Sequence, residues 1–301
     1  KGTRGEPMKI GIIGYGYWGR ILHSELVNCG IKNFVIYDEG GIPSPEFHGG
    51  TVSYSVKDLK EVDVDYVFIA TPPATHFKLC GHFLSKGTDV FCEKPLAMSL
   101  KECKTLYNLA AKYKARLFVD WTFTFNKEVR KIKEIIQNRS LGKLKTVSLR
   151  RLNYGPARND VSARWDLASH DISILTYLLE EFPQTIQWID YRKDKTSLRS
   201  DSVVGVLNYN GVMAHVEASW KYPLKDRFSV FEFENDFLTW DDTKGEVKLG
   251  GTWKVPSNEE GSSPLQSSIV SFFDRDYDIN INSSITADVT RILGVNNEST
   301  I

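Results

Sequence analysis

The first 120 residues alternate short apolar runs with amphipathic stretches, and this alternation constrains the fold more than any other feature of the chain. The runs are almost entirely apolar, which is typical of parallel strands covered on both faces. Strands separated by helices predict βαβ units with right-handed crossovers. The predicted strands are Lys9–Ile13, Phe34–Tyr37, Tyr66–Ala70, Val90–Cys92 and Leu117–Val119, and the predicted helices are Trp18–Asn28, Ala74–Ser85 and Leu100–Tyr113. We therefore expect a doubly wound α/β domain of the Rossmann type over residues 8–121.

The pattern changes after Trp121, where closely spaced strand-like runs replace the alternation. Two helical patterns remain, Asn126–Asn138 and Asp166–Leu179, and Ile285–Leu293 predicts a short closing helix. The predicted strands are Lys145–Asn153, Thr185–Tyr191, Ser202–Tyr209, Val212–Trp220, Arg227–Glu234, Phe237–Asp241 and Glu246–Leu249. Consecutive strands with short turns, one of them an Asn-Gly hairpin signal, favour an antiparallel sheet. Residues 122–301 are therefore predicted to form an α+β domain with a large, mostly antiparallel sheet.

Composition excludes several classes of protein. The formal net charge of zero argues against a broad nucleic-acid surface, which needs an excess of basic residues. No apolar run approaches the roughly 18 residues of a membrane helix, and no signal peptide is recognisable. The four cysteines, Cys29, Cys80, Cys92 and Cys103, have no CxxC spacing. We therefore expect no metal site, no redox pair, no membrane partner and a reducing, cytoplasmic compartment.

A glycine-rich motif, GYGYWG, follows the first predicted strand and opens the first predicted helix. In that context Gly14 permits a tight turn, Gly16 lets the backbone approach a pyrophosphate, and Gly19 lets the helix pack on the strand. The free N–H groups and positive dipole end of the helix suit phosphate. The cofactor-binding residues predicted here are Gly14, Tyr15, Gly16, Tyr17, Trp18 and Gly19.

An acidic residue, Asp38, ends the second predicted strand, nineteen residues after Gly19. This is the position from which a carboxylate binds the adenosine ribose hydroxyls of a dinucleotide. Asp38 and the adjacent Glu39 would repel a 2′-phosphate, so NAD is favoured over NADP. The alternative is that Asp38 only caps the end of the strand as a turn residue.

Two further segments lie at the carboxyl ends of predicted parallel strands, where open α/β sheets bind ligands. The first is ATPPATH, residues 70–76, and the second is CEKPL, residues 92–96. Their predicted cofactor-binding residues are Thr71, Pro72, Pro73, His76, Glu93 and Lys94. In the later segment WDLASHD, Asp166 and His170 are four apart and share a helix face. Taken alone, that pair is better explained as an aspartate helix cap and a core histidine.

The GxGxxG, EKP and DxxxH elements, in this order, resemble the Gfo/Idh/MocA family of oxidoreductases over nearly the whole chain. The resemblance implies NAD as cofactor, Lys94, Asp166 and His170 as the catalytic group, and Trp165 as a further cofactor contact. It also implies an open mixed sheet that packs in homodimers or homotetramers, and a cis peptide bond before Pro95. Ala168 replaces a glycine that is frequent in the family, and alanine is the better helix former.

Alcohol oxidation needs a base for the hydroxyl proton while hydride leaves to the nicotinamide. A free imidazole, with a pKa of about 6.5, is a usable base near neutrality, whereas a free lysine amine has a pKa of about 10.4. We therefore predict that His170 takes the proton. Lys94 is predicted to hydrogen-bond the same oxygen, and Asp166 to orient the substrate or the imidazole.

The segments 151–161 and 219–227 resemble the nucleotide-sugar branch of the family, the 3-dehydrogenases of UDP-N-acetylglucosamine and its uronic acid. The predicted substrate contacts are Lys94, Arg151, Arg158, Asp166 and His170, with Arg164, Lys225 and Arg227 as further candidate cations. Apart from Lys94, the candidate cations are five. We expect at most two or three of them to lie near substrate, out of Arg151, Arg158, Arg164, Lys225 and Arg227. The alternatives are a free sugar or inositol dehydrogenase, an NAD-binding regulator without activity, and an NAD-assisted glycoside hydrolase.

Overall fold

The structure is a computed structural model that describes residues 8–40, 52–55, 58–155, 160–192, 199–251, 253–254 and 261–295. The chain forms two compact units. One comprises Lys1–Asp120 together with Leu265–Ala287, and the other comprises Trp121–Pro264 together with Asp288–Ile301. The predicted fold class is confirmed: a Rossmann-type parallel sheet is followed by a large, mostly antiparallel sheet.

The described part of the first unit contains six parallel strands. Its elements up to residue 119 are β1 (Ile10–Ile13), α1 (Tyr17–Asn28), β2 (Asn33–Tyr37), β3 (Val52–Ser55), a 3-10 turn (Leu59–Glu61), β4 (Tyr66–Ile69), α2 (Pro73–Leu84), β5 (Asp89–Cys92), α3 (Leu100–Tyr113) and β6 (Leu117–Val119). The strand order is β3-β2-β1-β4-β5-β6. The order reverses between β1 and β4, and doubly wound sheets bind their ligands at the carboxyl ends of the strands beside such a reversal.

The described residues of the second unit form a sheet of nine strands. Its elements are a 3-10 turn (Thr122–Phe125), α4 (Lys127–Asn138), β7 (Leu144–Tyr154), a π-helical turn (Arg164–Ala168), α5 (Ser169–Leu179), β8 (Thr185–Tyr191), β9 (Ser202–Asn208), β10 (Met213–Ser219), β11 (Lys221–Asp226), β12 (Phe228–Phe233), β13 (Phe237–Asp241), β14 (Glu246–Leu249) and β15 (Trp253–Lys254). The order is β15-β14-β13-β12-β7-β10-β9-β8, and β11 also pairs with β7. The β7–β10 pair is parallel, and the other described pairs of this sheet are antiparallel.

One face of this second sheet is buried and the other is exposed. Trp188, Gly205 and Val216 are register neighbours across β8, β9 and β10, and all three are buried. The alternate positions Ile189 and Val204 are also paired, and both are exposed. Because side chains alternate between the faces of a strand, the exposed positions form a continuous open face.

The last two helices in the described residues are α6 (Pro264–Phe273) and α7 (Ile279–Leu293). The sequence predicted only the second half of α7 and assigned residues 122–301 to one domain. The structure differs because Phe272 of α6 packs against Phe68, Phe91 and Phe118, which are buried side chains of the first sheet. This aromatic cluster holds Leu265–Ala287 on the first unit.

Candidate active site

The glycine loop of the first unit lies at the carboxyl ends of β1, β2 and β4. The Gly14 N–H donates to the Tyr37 carbonyl at 2.8 Å, and the Ala70 N–H donates to the Ile13 carbonyl at 2.8 Å. Gly14 has a φ of 87°, and an added Cβ would lie 2.8 Å from the Ala70 carbonyl oxygen. Only glycine meets both conditions without strain, so this turn requires it.

The other two glycines of the motif have different surroundings. A Cβ on Gly19 would overlap the carbonyl oxygen of Gly14, so this residue allows α1 to pack closely on the turn. At Gly16, by contrast, no atom of the described residues lies within 4 Å of an added Cβ. Contacts within the protein therefore explain why residue 19 is a glycine. No such contact explains Gly16, and the space beside its backbone is open.

The N-terminus of α1 is available to an anion. Gly16 occupies the N-cap position, and among the described residues no side chain caps the helix and no acidic residue lies in its first turn. The first N–H groups of a helix have no partner within the helix and carry a partial positive charge. This end of α1 has the chemistry that a diphosphate needs.

Asp38 is tied to the glycine loop. One carboxylate oxygen accepts the Tyr15 N–H at 2.6 Å, and the other accepts the Gly40 N–H at 2.8 Å. The Tyr15 hydroxyl is in turn hydrogen-bonded to His23 Nδ1 at 2.6 Å, and burial raises the pKa of that hydroxyl above its ordinary value. Asp38 therefore makes the contacts of a turn residue at the end of β2, which is the alternative role that the sequence allowed for it. Each of its oxygens retains a further lone pair for a ribose hydroxyl.

A buried histidine links the loops that follow β4 and β5. His76 has no exposed surface, and its Nδ1 and Nε2 each lie 2.8 Å from a carbonyl oxygen, of Pro95 and Thr71 respectively. The sequence placed His76 among the cofactor contacts. With its ring enclosed, the side chain holds the two loops in register instead of offering a surface to a ligand.

The EKP segment follows β5. Glu93 is hydrogen-bonded to the indole N–H of Trp18, which joins this segment to the glycine loop. Desolvation raises the pKa of the Glu93 carboxyl, and the neighbouring carboxylate of Asp120 adds to that effect. Lys94 is half-buried, and the Lys94–Pro95 peptide bond is cis, as the family resemblance implied. Thr71, Pro72 and Pro73 lie at the corresponding end of β4, where α2 begins.

In the second unit, Asp166 and His170 lie on one continuous helical segment. Asp166 is in the π-helical turn and His170 is in the first turn of α5. Single π-helical turns occur frequently at functional sites. Trp165, Asp166 and His170 are half-buried, whereas Ala168 and Ser169 between them are buried. The segment therefore presents the predicted side chains on one partly accessible side.

Three of the candidate substrate cations are engaged with carboxylates of the same unit. Arg151 makes hydrogen bonds of 2.8–3.2 Å to Asp171, and the two side chains are only 4% and 2% exposed. Further ion pairs join Arg164 to Asp190 and Arg227 to Asp242. A guanidinium committed to a buried bidentate pair is not available to substrate, so the assignment of Arg151 as a substrate contact is replaced by a structural one. Arg158 lies outside the described residues.

Two residues of this region, Phe123 and Asp171, were not predicted from the sequence. Phe123 lies with its ring edge-on to the His170 imidazole, at 5.3 Å between centroids, and the Arg151 guanidinium lies over its face at 4.5 Å. Asp171 follows His170 directly and holds Arg151. The sequence contained one signal for Asp171, since an acidic side chain on the buried side of a helix requires a cation.

Neither a metal cluster nor a membrane-spanning helix is found in the part of the chain that the structure describes. No group of three or more histidine, cysteine, aspartate or glutamate side chains there is arranged to hold a metal ion. No helix in the same residues has the length and apolar character needed to cross a bilayer.

Comparison with known proteins identifies the family. The model of the oxidoreductase family with an NAD-binding Rossmann fold matches residues 8–121, and the model of the Gfo/Idh/MocA C-terminal domain matches residues 129–232. The chain belongs to the Gfo/Idh/MocA family. Its first unit is therefore an NAD-binding Rossmann domain of that family.

The individual relatives are distant. An inositol 2-dehydrogenase of Rhizobium meliloti is 23% identical over 60% of this chain and 57% of its own length. The structure of a UDP-N-acetylglucosamine 3-dehydrogenase from Acidithiobacillus ferrooxidans covers 96% of each chain with a TM-score of 0.80 at 17% identity. An oxidoreductase from Agrobacterium radiobacter, solved with NAD⁺, L-tartaric acid and magnesium, covers 96% of this chain and 94% of its own with a TM-score of 0.75 at 14% identity. The structural likenesses establish the fold alone.

Proposed function

We propose that the protein is an NAD-dependent dehydrogenase that oxidises a secondary hydroxyl of a sugar. The observation that carries this proposal is the open space beside the Gly16 backbone at the uncapped N-terminus of α1. A dinucleotide diphosphate has the negative charge that suits a helix N-terminus beside a glycine backbone. Membership of an oxidoreductase family supports the same conclusion.

The described residues fit NAD as the cofactor. The α1 N-terminus and the Gly16 backbone would hold the diphosphate, and Asp38 would accept ribose hydroxyls on its remaining lone pairs. The carboxylates of Asp38 and Glu39 disfavour the 2′-phosphate of NADP by charge repulsion. When bound, the nicotinamide supplies the hydride acceptor of the reaction.

The proton chemistry belongs to the protein. His170 takes the proton of the substrate hydroxyl, because an imidazole is the side chain best matched to that transfer near neutral pH. The Lys94 ammonium donates a hydrogen bond to the same oxygen and stabilises the negative charge that develops there. Asp166, one turn before His170, accepts hydrogen bonds that orient the substrate or the imidazole. Pro72 is exposed, and Thr71 and Trp165 are half-buried, so these three side chains suit contacts with the cofactor, whereas Pro73 is buried.

We propose the C3 hydroxyl of a UDP-N-acetylhexosamine, or of its uronic acid, as the site of oxidation. The segments 151–161 and 219–227 resemble that branch of the family, and a UDP-N-acetylglucosamine 3-dehydrogenase shares the fold over nearly its whole length. With Arg151, Arg164 and Arg227 committed to ion pairs, the remaining candidate cations are Lys225, which is exposed, and Arg158.

A free polyol such as inositol is the second candidate substrate. Two observations favour it: three of the five cations that argued for a diphosphate are neutralised within the protein, and an inositol 2-dehydrogenase is among the relatives. An uncharged polyol needs hydrogen-bonding groups but no cation cluster. Asp166, His170 and Lys94 supply such groups without the arginines.

The experiment that tests the function is NADH formation, followed at 340 nm, with a panel of UDP-sugars, free sugars and inositols. We expect net NADH with one class of hydroxyl compound and a clear preference for NAD over NADP. Turnover confined to UDP-sugars supports the first substrate, and turnover confined to free polyols supports the second. A glycoside hydrolase would cleave its substrate without net NADH, and a regulator would bind NAD without consuming any compound.

We further propose that the open face of the second sheet joins copies of the chain in a homodimer or homotetramer. Ile189 and Val204 are register neighbours on this face and are 46% and 42% exposed, and Met213 on the same face is 46% exposed. Apolar side chains left open on a sheet face suit burial against a second copy. We expect Val204→Glu to lower the mass measured by light scattering to that of the monomer, because it introduces a charge into the buried interface. Val204→Thr is the control of similar shape, and an unchanged mass for both variants would contradict the proposal.

A further inference from the structure

The buried Arg151–Asp171 pair lies next to the proposed base. Asp171 is the residue after His170 on α5, and Arg151 is on β7, twenty residues earlier in the chain. Both Nε and a terminal nitrogen of Arg151 donate to the Asp171 carboxylate, which is the rigid two-point geometry that fixes orientation as well as distance. The pair therefore restrains the rotation of α5 about its axis at the turn that carries His170.

A second set of contacts reaches the imidazole itself. The Arg151 guanidinium lies 4.5 Å from the centre of the Phe123 ring, within the range of a cation–π interaction. The Phe123 ring and the His170 imidazole form a T-shaped pair, with a centroid distance of 5.3 Å and an interplanar angle of 73°. Phe123 is also edge-on to Trp240 of β13, at 6.1 Å. Arg151 thus contacts both the helix residue beside His170 and the ring against its side chain.

We propose that Arg151, Asp171 and Phe123 form a clamp that positions the His170 imidazole for proton transfer. The proposal rests on the dehydrogenase function proposed above and adds three positioning residues to it. A buried ion pair is weak evidence for stabilisation, since apolar residues of similar volume often replace such pairs without loss of stability. Arg151 on β7 restrains α5 through Asp171, and it also packs on Phe123, whose ring contacts the His170 imidazole. Two restraints that converge on one side chain point instead to orientation.

The decisive variant replaces the whole ion pair with apolar side chains of similar volume, Arg151→Met with Asp171→Leu. We expect the melting temperature to stay within a few degrees of the wild type. We expect kcat to fall by roughly tenfold, with KM for the substrate and the dissociation constant for NAD nearly unchanged, because a small misplacement of a reacting group slows chemistry more than binding. Arg150→Met is the matched control, since Arg150 is the adjacent arginine of β7 and forms a half-exposed pair with Asp226.

The Phe123 variants keep the proposal testable if the double variant does not fold. Asp171→Asn leaves the Arg151 charge without its ionic partner, so it is compared only after thermal unfolding shows that it is folded. Asp171→Asn removes the charge and keeps the shape of the side chain, and it should lower kcat in the same way. Phe123→Leu removes the ring and leaves the ion pair intact, whereas Phe123→Tyr retains the ring and should restore turnover close to the wild type. Folded variants of the pair or of Phe123 that keep kcat within twofold of the wild type would overturn the clamp.

An NMR measurement tests the clamp without relying on enzyme activity, so failure of the clamp can be distinguished from failure of the proposed function. The imidazole Cε1–H resonance of His170, assigned by its loss in His170→Ala, reports the orientation of the ring relative to Phe123. In the double variant or in Asp171→Asn, both of which retain Phe123, we expect this resonance to move or broaden. If the wild type forms no NADH with any substrate, the function fails while a moved resonance still supports the clamp. An unchanged resonance contradicts the clamp whatever the enzyme does.

Discussion

Replacing His170 with alanine is expected to lower kcat by roughly two to four orders of magnitude, which is the usual contribution of a positioned general base. The half-buried imidazole lies in the first turn of α5, and its removal leaves water as the acceptor of the hydroxyl proton. The dissociation constant for NAD should stay close to the wild-type value, because the groups that hold the diphosphate belong to the glycine loop. Stopped-flow absorbance at 340 nm and a fluorescence titration with NAD measure the two quantities separately.

Two controls make the result specific. His215→Ala removes a histidine whose side chain is exposed on β10, and it should leave kcat unchanged. Added imidazole should restore part of the activity of His170→Ala and none of the activity of a variant that has lost Lys94, because it replaces only the missing base. A His170→Ala protein that turns over within threefold of the wild type would remove His170 from the proposed mechanism.

The sequence predicted those elements whose signals are local. The β6 and α3 bounds, Leu117–Val119 and Leu100–Tyr113, coincide with the prediction, because a short apolar run and an amphipathic period need no information from elsewhere in the chain. The glycine motif was likewise local: the φ of Gly14 and the close approach at Gly19 are the roles that its spacing between a strand and a helix implied.

The missed elements depend on distant residues. Strand β3 reads Val-Ser-Tyr-Ser, and β11 is largely polar and exposed, so neither carries an apolar run that marks a strand. Helix α6 is apolar, but its place on the first unit depends on Phe272 meeting Phe68 and Phe91 about 200 positions earlier in the sequence. No local pattern encodes such a contact.

Contacts between distant residues were also not predictable at the candidate site. Arg151 was predicted to bind substrate because a cation close to the DxxxH segment in sequence suits an acidic ligand. Its actual partner, Asp171, became visible only when the packing of α5 on β7 was known, since twenty residues separate the two. The geometry of the glycine turn follows from its motif, whereas contacts such as Arg151–Asp171 follow only from the tertiary packing.

Replacing Gly16 with valine is expected to weaken NAD binding by on the order of a hundredfold, or about 2.7 kcal/mol, while the protein stays folded. A Cβ at this position meets no atom of the described residues, and the φ of −71° is one that side chains adopt freely. The added methyl groups would therefore occupy only the space beside the backbone where the diphosphate is proposed to lie. Isothermal titration with NAD and thermal unfolding without NAD measure the two effects.

Variants of two other glycines serve as controls for Gly16→Val. Gly261→Val is the matched control, since a Cβ there also meets none of the described atoms and the residue lies in the second unit, so NAD affinity should not change. Gly19→Ala should instead lower the free energy of unfolding in the absence of NAD. The added Cβ overlaps the Gly14 carbonyl, so the turn must deform before any ligand binds. Overpacking of this kind costs about 1–3 kcal/mol of unfolding free energy. If Gly16→Val bound NAD as tightly as the wild type, the open space at the N-terminus of α1 would not be the diphosphate site, and the assignment of the cofactor loop would have to be abandoned.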